Sequence, residues 1–176
     1  MKNFFFIFLY LISLSTYSQC VGIQSSTISP SMSVYPGGSQ IQVCYTMDGW
    51  NPLNSNWVEG FEITLSPGLL NLSLFDPPDD CGNGDGWIWM STILSSNTGI
   101  VAGPGWFYDL DGNGLPGDDY GDNGNCIWSF CFSVEVVDTC IQMPLSVTVT
   151  AGGDGTWGSW GPDTCSLEPF NILIGD

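Results

Sequence analysis

The residues best placed to do chemistry lie in one short stretch, Asp109-Leu110-Asp111-Gly112-Asn113-Gly114, followed closely by Asp118, Asp119 and Asp122. Oxygen ligands at alternate positions, with glycine at the sixth, match the first half of a calcium-binding loop, in which alternate residues of a tight turn aim their oxygens at one centre. Gly114 permits the sharp turn, and Leu115 offers a main-chain carbonyl. The second half departs from that pattern. Its twelfth position is Tyr120 and not glutamate, so the closing carboxylate has to be Asp118, Asp119 or Asp122. Asp, Asn and Gly are also the commonest turn residues, and a solvated turn is the competing reading. Charge balance favours the cation, because carboxylates this close, with no basic neighbour, repel one another unless a positive ion sits among them. The expected cofactor is calcium, at the weak affinity of extracellular sites. Two other acidic stretches are less regular. Asp76 to Gly86 is rich in oxygens without a spacing, and Gly152-Gly153-Asp154-Gly155 reads as a turn with one carboxylate.

What the chain lacks excludes more chemistry than this loop suggests. Among 176 residues there are 18 acidic side chains, one Lys or Arg and no His, for a formal charge of -17. The single base is Lys2. Without histidine there is no Ser-His-Asp or Cys-His nucleophile system and no imidazole metal ligand. Without further Lys or Arg there is no Schiff base and no clamp on a phosphate. Nucleic acid and anionic membrane surfaces are excluded as partners, since both are gripped through basic side chains. Paired carboxylates could in principle hydrolyse glycosides. Glu59 and Glu62, however, stand three apart in a strand and point to opposite faces, so no enzyme is expected. The acidity is not that of a disordered chain: only 11% of residues are charged and 43% are hydrophobic, with eight Trp and ten Phe to fill a core.

Residues 1–19 read as a secretory signal peptide, with Lys2 as the charged start, Phe4 to Leu14 as the apolar segment, and Ser15, Thr16 and Ser18 before the cleavage site. The expected location is therefore secreted, or at the extracellular cell surface. Seven cysteines fit an oxidising compartment. No CxxC pair is present, which argues against structural zinc. The pairing expected from strand and loop positions is Cys44–Cys131 as a bridge between sheets, Cys81–Cys126 between two Gly/Asp-rich loops, and Cys140–Cys165 flanking the last strands. Cys20 is left over.

The elements that must position the loop all read as strands. Ser33–Tyr35 is a short start, and Gln40–Thr46 alternates Ile41, Val43 and Tyr45 against Gln40, Gln42 and Cys44. Val58–Leu65, Leu69–Phe75, Trp87–Leu94, Ile127–Val137, Leu145–Thr150, Thr156–Trp160 and Phe170–Ile174 complete the set, with Gly, Pro, Asn and Asp clusters between them. The fold class expected is all-β: an antiparallel β-sandwich of about nine or ten strands, stapled by disulfides, over residues 34–176. Residues 20–33, rich in Ser, Thr and Pro, form an exposed lead-in. Trp87, Trp89 and Trp128 are assigned to the core. Trp157 and Trp160, in a Gly-rich setting, are the candidates for an exposed, ligand-stacking platform such as a carbohydrate-binding module would use.

The span Cys44 to Cys165 resembles a cysteine-, tryptophan- and glycine-rich domain of secreted, gliding-motility-associated or adhesin-like surface proteins of Bacteroidota. The residues that carry the likeness are Val43-Cys44-Tyr45-Thr46, Gly49-Trp50-Asn51 and Asn56-Trp57-Val58-Glu59-Gly60, then Gly103-Pro104-Gly105-Trp106-Phe107-Tyr108-Asp109. Tyr120-Gly121-Asp122-Asn123, Trp128-Ser129-Phe130-Cys131-Phe132 and Gly153-Asp154-Gly155-Thr156-Trp157-Gly158-Ser159-Trp160 complete it. The resemblance implies export and an adhesive or structural role at the cell surface, with a surface protein or glycan as partner. It defines no catalytic group.

Overall fold

In the computed structural model, which describes residues 21–50, 57–74, 76–79, 86–122, 126–137, 145–159 and 170–174, alternation along the strands decides the faces. Strand β1 is Val21–Ser29 and β2 is Gln40–Trp50; β3 is Val58–Leu65, β4 Leu69–Leu74, β5 Trp87–Met90 and β6 Ile93–Leu94. Strand β7 is Val101–Ala102, β8 Gly105–Tyr108, β9 Ile127–Val136, β10 Leu145–Gly153 and β11 Phe170–Ile174. One 3-10 turn, Pro116–Asp118, is the sole helical element among the described residues. In β2 the side chains of Ile41, Val43, Tyr45 and Met47 are fully buried, while Gln42, Cys44 and Thr46 between them are half-buried. This is the period of two that a strand with one face on a core must show.

The strands form two larger sheets and a hairpin, with every pairing antiparallel. One sheet has the order β1-β2-β9-β4 and the other β11-β10-β3-β8-β5, while β6 and β7 pair with each other. The inner faces meet in a single core, where Tyr45 and Phe130 of the first sheet pack on Phe61 of the second with ring centroids 5.7 and 5.4 Å apart. The protein is thus an all-β antiparallel sandwich. Trp87 and Trp128 lie in this core and Trp89 packs at its margin, edge-on to Trp106.

Four local expectations change. Val21–Ser29 is not a free lead-in but an edge strand paired with β2 from Val21↔Trp50 to Ser29↔Gln42. Its Ser/Thr/Gln composition reflects an edge position, where main-chain pairing holds the strand and little apolar surface is buried. Ser33–Tyr35 is not a strand; there the Tyr35 hydroxyl donates to Pro30 O and accepts from Met32 N. Trp87–Leu94 divides into β5 and β6 around Ser91 and Thr92. Residues 156–159 of the expected strand Thr156–Trp160 are not a strand but belong to a turn over 154–159.

Cys44 and Cys131 form a disulfide. The bond does not link the two sheets: the residues are direct partners on neighbouring strands β2 and β9 of one sheet, on the face away from the core. The alternation that buries Val43 and Tyr45 turns Cys44 outward. Cys126 is also disulfide-bonded. Cys20, Cys81, Cys140, Cys165 and the leader lie outside the described residues as well.

Candidate metal centre

Strand β8 delivers the acidic loop, and both ends of the loop are pinned. At its start Asp109 N donates to Gly86 O at 2.7 Å, and at its end Val58 and Asp122 exchange main-chain hydrogen bonds of 3.2 and 2.7 Å. Gly112 and Gly114 adopt φ of 71° and 84°, a region where a side chain is strained. Between them the carboxylates turn inward. Asp109 accepts from the amides of Asn113 and Gly114 at 3.2 and 2.8 Å, and Asp111 accepts from Asn113 N and Nδ2 at 3.0 Å each. Asn113 Oδ1 accepts from Leu115 N at 2.7 Å.

The 3-10 turn then brings the chain back, so that Asp119, the eleventh residue, faces the first. Its Oδ2 accepts from Leu110 N at 2.9 Å. Carboxylate oxygens of Asp109, Asp111 and Asp119 all lie within 4.8 Å of one another, with Asp109 and Asp119 buried and Asp111 exposed. Two like charges at such a distance repel by about 3 kcal/mol at an effective dielectric near 20. Burial above all, helped by the charge of Asp111, pushes the Asp119 carboxyl up to about 6, although the amides of Asp111 and Leu110 oppose the shift. These three residues could hold a metal ion.

Of the other expected ligands, Asp118 is exposed and stands outside this group. Asp122 is fully buried and turned elsewhere, its Oδ2 accepting from Trp128 Nε1 at 2.9 Å. Trp157 is not exposed. Only 4% of it reaches solvent, because it packs edge-on against Phe107 at 5.6 Å and covers Gly152. With Ile93, Ala102 and Phe107 it makes a second, smaller core on the other face of the β3–β8 sheet. The glycines that suggested exposure are instead what lets its ring lie flat on the backbone. Trp160 lies outside the described residues.

This second core supports a layer that closes over the acidic loop. Ser96 N donates to Gly117 O at 2.7 Å, Ser95 Oγ to Gly158 O at 3.0 Å, and Ser159 N to Asp119 O at 2.8 Å. The β6–β7 hairpin, the loop and the 154–159 turn are thereby tied together. An apolar cavity of about 320 Å³ opens beside the loop, between Met90, Ile93 and Leu94 on one side and Leu115, Pro116 and Gly117 on the other.

Two residues beneath the loop were not singled out by their spacing. The pairing of β3 with β10 slips by one residue, Val58 opposing Gly153 and Gly60 opposing Gly152, so Glu59 is left unpaired in a bulge. Val58 keeps its place in the main core, whereas Glu59 Oε2 lies 2.9 Å from where a Cβ on Gly158 would stand. Glu59 is fully buried, and neither carboxylate oxygen has a hydrogen-bond partner. Burial first, then the charges of Asp154, Asp119, Asp109 and Asp118, push its carboxyl well above the ordinary range. Asp154 is also fully buried; its Oδ1 accepts from Trp57 N at 2.9 Å and its Oδ2 has no partner. Burial pushes its carboxyl up to about 6, against the pull of neighbouring amides. Glu62 takes no part, since its Oε1 accepts from Gly103 N.

Comparisons with protein-family models, curated proteins and solved structures found no match to this chain. Among the described residues no helix is long and apolar enough to cross a membrane.

Proposed function

We propose that this chain is an exported β-sandwich module, ordered by calcium, with an adhesive or structural role at the cell surface. The observation that carries the reading is the convergence of Asp109, Asp111 and Asp119 in a chain whose only Lys or Arg is Lys2. No side chain past the leader can neutralise those charges, so a cation is the natural counter-charge. All the ligands are oxygens, which suits a hard ion. Calcium is favoured over magnesium because carboxylates clustered on a loop suit its larger and more flexible coordination. The disulfide fits an oxidising exterior. The resemblance to adhesin-like surface domains points to display and contact and not to turnover. Burial of Trp157 favours a protein over a glycan as the partner, because it withdraws one of the two rings expected to stack on sugar.

Thermal unfolding in calcium and in chelator, at fixed ionic strength, tests the reading. Calcium at about a hundred times its dissociation constant should stabilise the fold by about 2.7 kcal/mol. For a domain of this size that corresponds to a rise of about 5–10 °C in midpoint. The rise should shrink in Asp111→Ala. Equal midpoints in calcium, magnesium and chelator would reduce the loop to a solvated turn and remove the basis of the proposal.

A further inference from the structure

Beneath the proposed calcium loop, the structure places together a set of oxygens that the loop does not use. Glu59 presents two carboxylate oxygens and Asp154 one, all buried and all without a hydrogen-bond donor. Both side chains border Gly158. A Cβ there would stand 2.9 Å from Glu59 Oε2, 2.8 Å from Asp154 Cβ and 2.7 Å from the main-chain oxygen of Asp119. The close packing that only a glycine permits at 158 thus brings Glu59 Oε2, the side chain of Asp154 and the Asp119 carbonyl near one another.

An unpartnered buried carboxylate is costly, because it gives up its hydration and receives nothing in return. Proteins resolve that cost by hydrogen bonds, by a positive side chain, by a proton or by a metal ion. The first is missing for Glu59, and no basic residue other than Lys2 exists in the chain. Two facts favour an ion over a proton. A proton on Glu59 could join one pair of oxygens, yet three buried oxygens of these two neighbouring side chains lack a donor. In addition, a bulge in β3 leaves Glu59 out of the strand pairing, and the Trp57 amide holds Asp154 through its other oxygen.

We propose that Glu59 and Asp154, with the carbonyl of Asp119 beside them, form a second and buried site for a hard divalent cation of the calcium class. Two carboxylates match the charge of one such ion, and an all-oxygen donor set matches its chemistry. Asp119 then serves both centres, its side chain in the outer loop and its main chain at the inner site. Ser159 N, which donates to the same carbonyl, holds the 154–159 turn in register with the loop. The inner site goes beyond the loop reading and does not depend on it.

The test is to count ions. The full exported chain, with disulfides intact, is titrated with calcium by calorimetry alongside Glu59→Gln, Asp154→Asn and Asp111→Ala. The expected result is two ions for the wild type and one for each variant. The ion lost from Glu59→Gln and Asp154→Asn is the one that Asp111→Ala keeps. At the inner site the affinity should fall by at least about tenfold, the scale on which even indirect partners of a metal act. Folding is controlled by the melt in chelator: Glu59→Gln removes a buried charge and keeps the shape, so its metal-free midpoint should equal or exceed that of wild type. The same ion count in Glu59→Gln and Asp154→Asn as in wild type would overturn the inner site and mean that Glu59 is held by a proton. Loss of all binding in Asp111→Ala would overturn it as well. If Asp111→Ala binds as the wild type does while Glu59→Gln loses an ion, the inner site stands and the loop reading falls.

Discussion

Truncating Trp157 to alanine separates a packing role from a ligand-stacking one, and the two predict opposite results. The indole is 4% exposed, meets Phe107 edge-on at 5.6 Å, and covers a glycine where any Cβ would fall 2.7 Å from its ring. Among the described residues its cluster holds Ile93, Ala102 and Phe107 besides, with Met90 at the margin, so truncation removes the largest side chain of a small cluster. Removing a buried tryptophan side chain costs about 3–5 kcal/mol. The lower end is expected here, because the cluster lies under a surface turn and water can enter the gap. Urea unfolding in chelator, followed by far-UV circular dichroism, should show a loss of about 3 kcal/mol for Trp157→Ala. The half-buried Trp89, which meets Trp106 edge-on, should lose clearly less when truncated. The loss at Trp157 should grow in calcium, because the turn that it anchors carries Asp154 and touches Asp119 through Ser159. A loss below about 1 kcal/mol, within the range of surface substitutions, would refute the packing argument. If the same variant lost binding to a glycan array, a stacking platform would be restored.

Two further outcomes follow from the geometry. Replacing Cys44 and Cys131 together by alanine leaves the core intact, because both side chains face away from it, so the cost is mainly that of loop closure. With the cysteines 87 residues apart, that cost is at most about 4.6 kcal/mol. An unchanged unfolding midpoint would refute the loop-closure argument. In chelator, stability should fall as pH rises from the ordinary aspartate value of 3.8 toward about 6, since Asp119 and Asp154 keep their protons in the folded state over a range where the unfolded chain has lost them. Calcium affinity should climb through the same window as the ion displaces those protons. Midpoints measured across that range in chelator would contradict the burial of both groups if they rose.

The sandwich was legible because its strands obey alternation: Ile41, Val43 and Tyr45 fell on the core side as their spacing required, and β3 and β11 keep the expected bounds. The partner of Cys44 was legible for the same reason, yet the geometry of the bond was not. Mid-strand position says that two cysteines share a layer of the fold but not whether their strands are neighbours. The loop was legible up to Asn113, where side chains and turn geometry are local. Which aspartate closes it depends on how tightly residues 116–118 turn, and that is set by the hairpin packed above them. Glu59 was invisible for a different reason. In an unbroken strand it would share a face with Phe61, and only the slip against Gly152 and Gly153, on a strand some ninety residues away, turns it toward Gly158. Glycine-rich sequence signals both an exposed turn and a flat seat for a large ring, and at Trp157 it is the seat.

The position of the Cys44–Cys131 bond has a mechanical consequence. The first and last strands, β1 and β11, are edge strands of different sheets. Tension drawn through them can peel β1 from β2 and β11 from β10 one hydrogen bond at a time. Once the peeling reaches Cys44, the force passes along the covalent link to Cys131 and bypasses the 87-residue span between them, withholding about 300 Å of extension. Glu59, Asp109, Asp111 and Asp119 all lie within that shielded span, while Asp154 lies outside it. A tethered molecule would therefore keep its acidic loop unstretched at loads that already unravel the edges of both sheets, and the inner pair of carboxylates would be the first part of the centre to feel the pull.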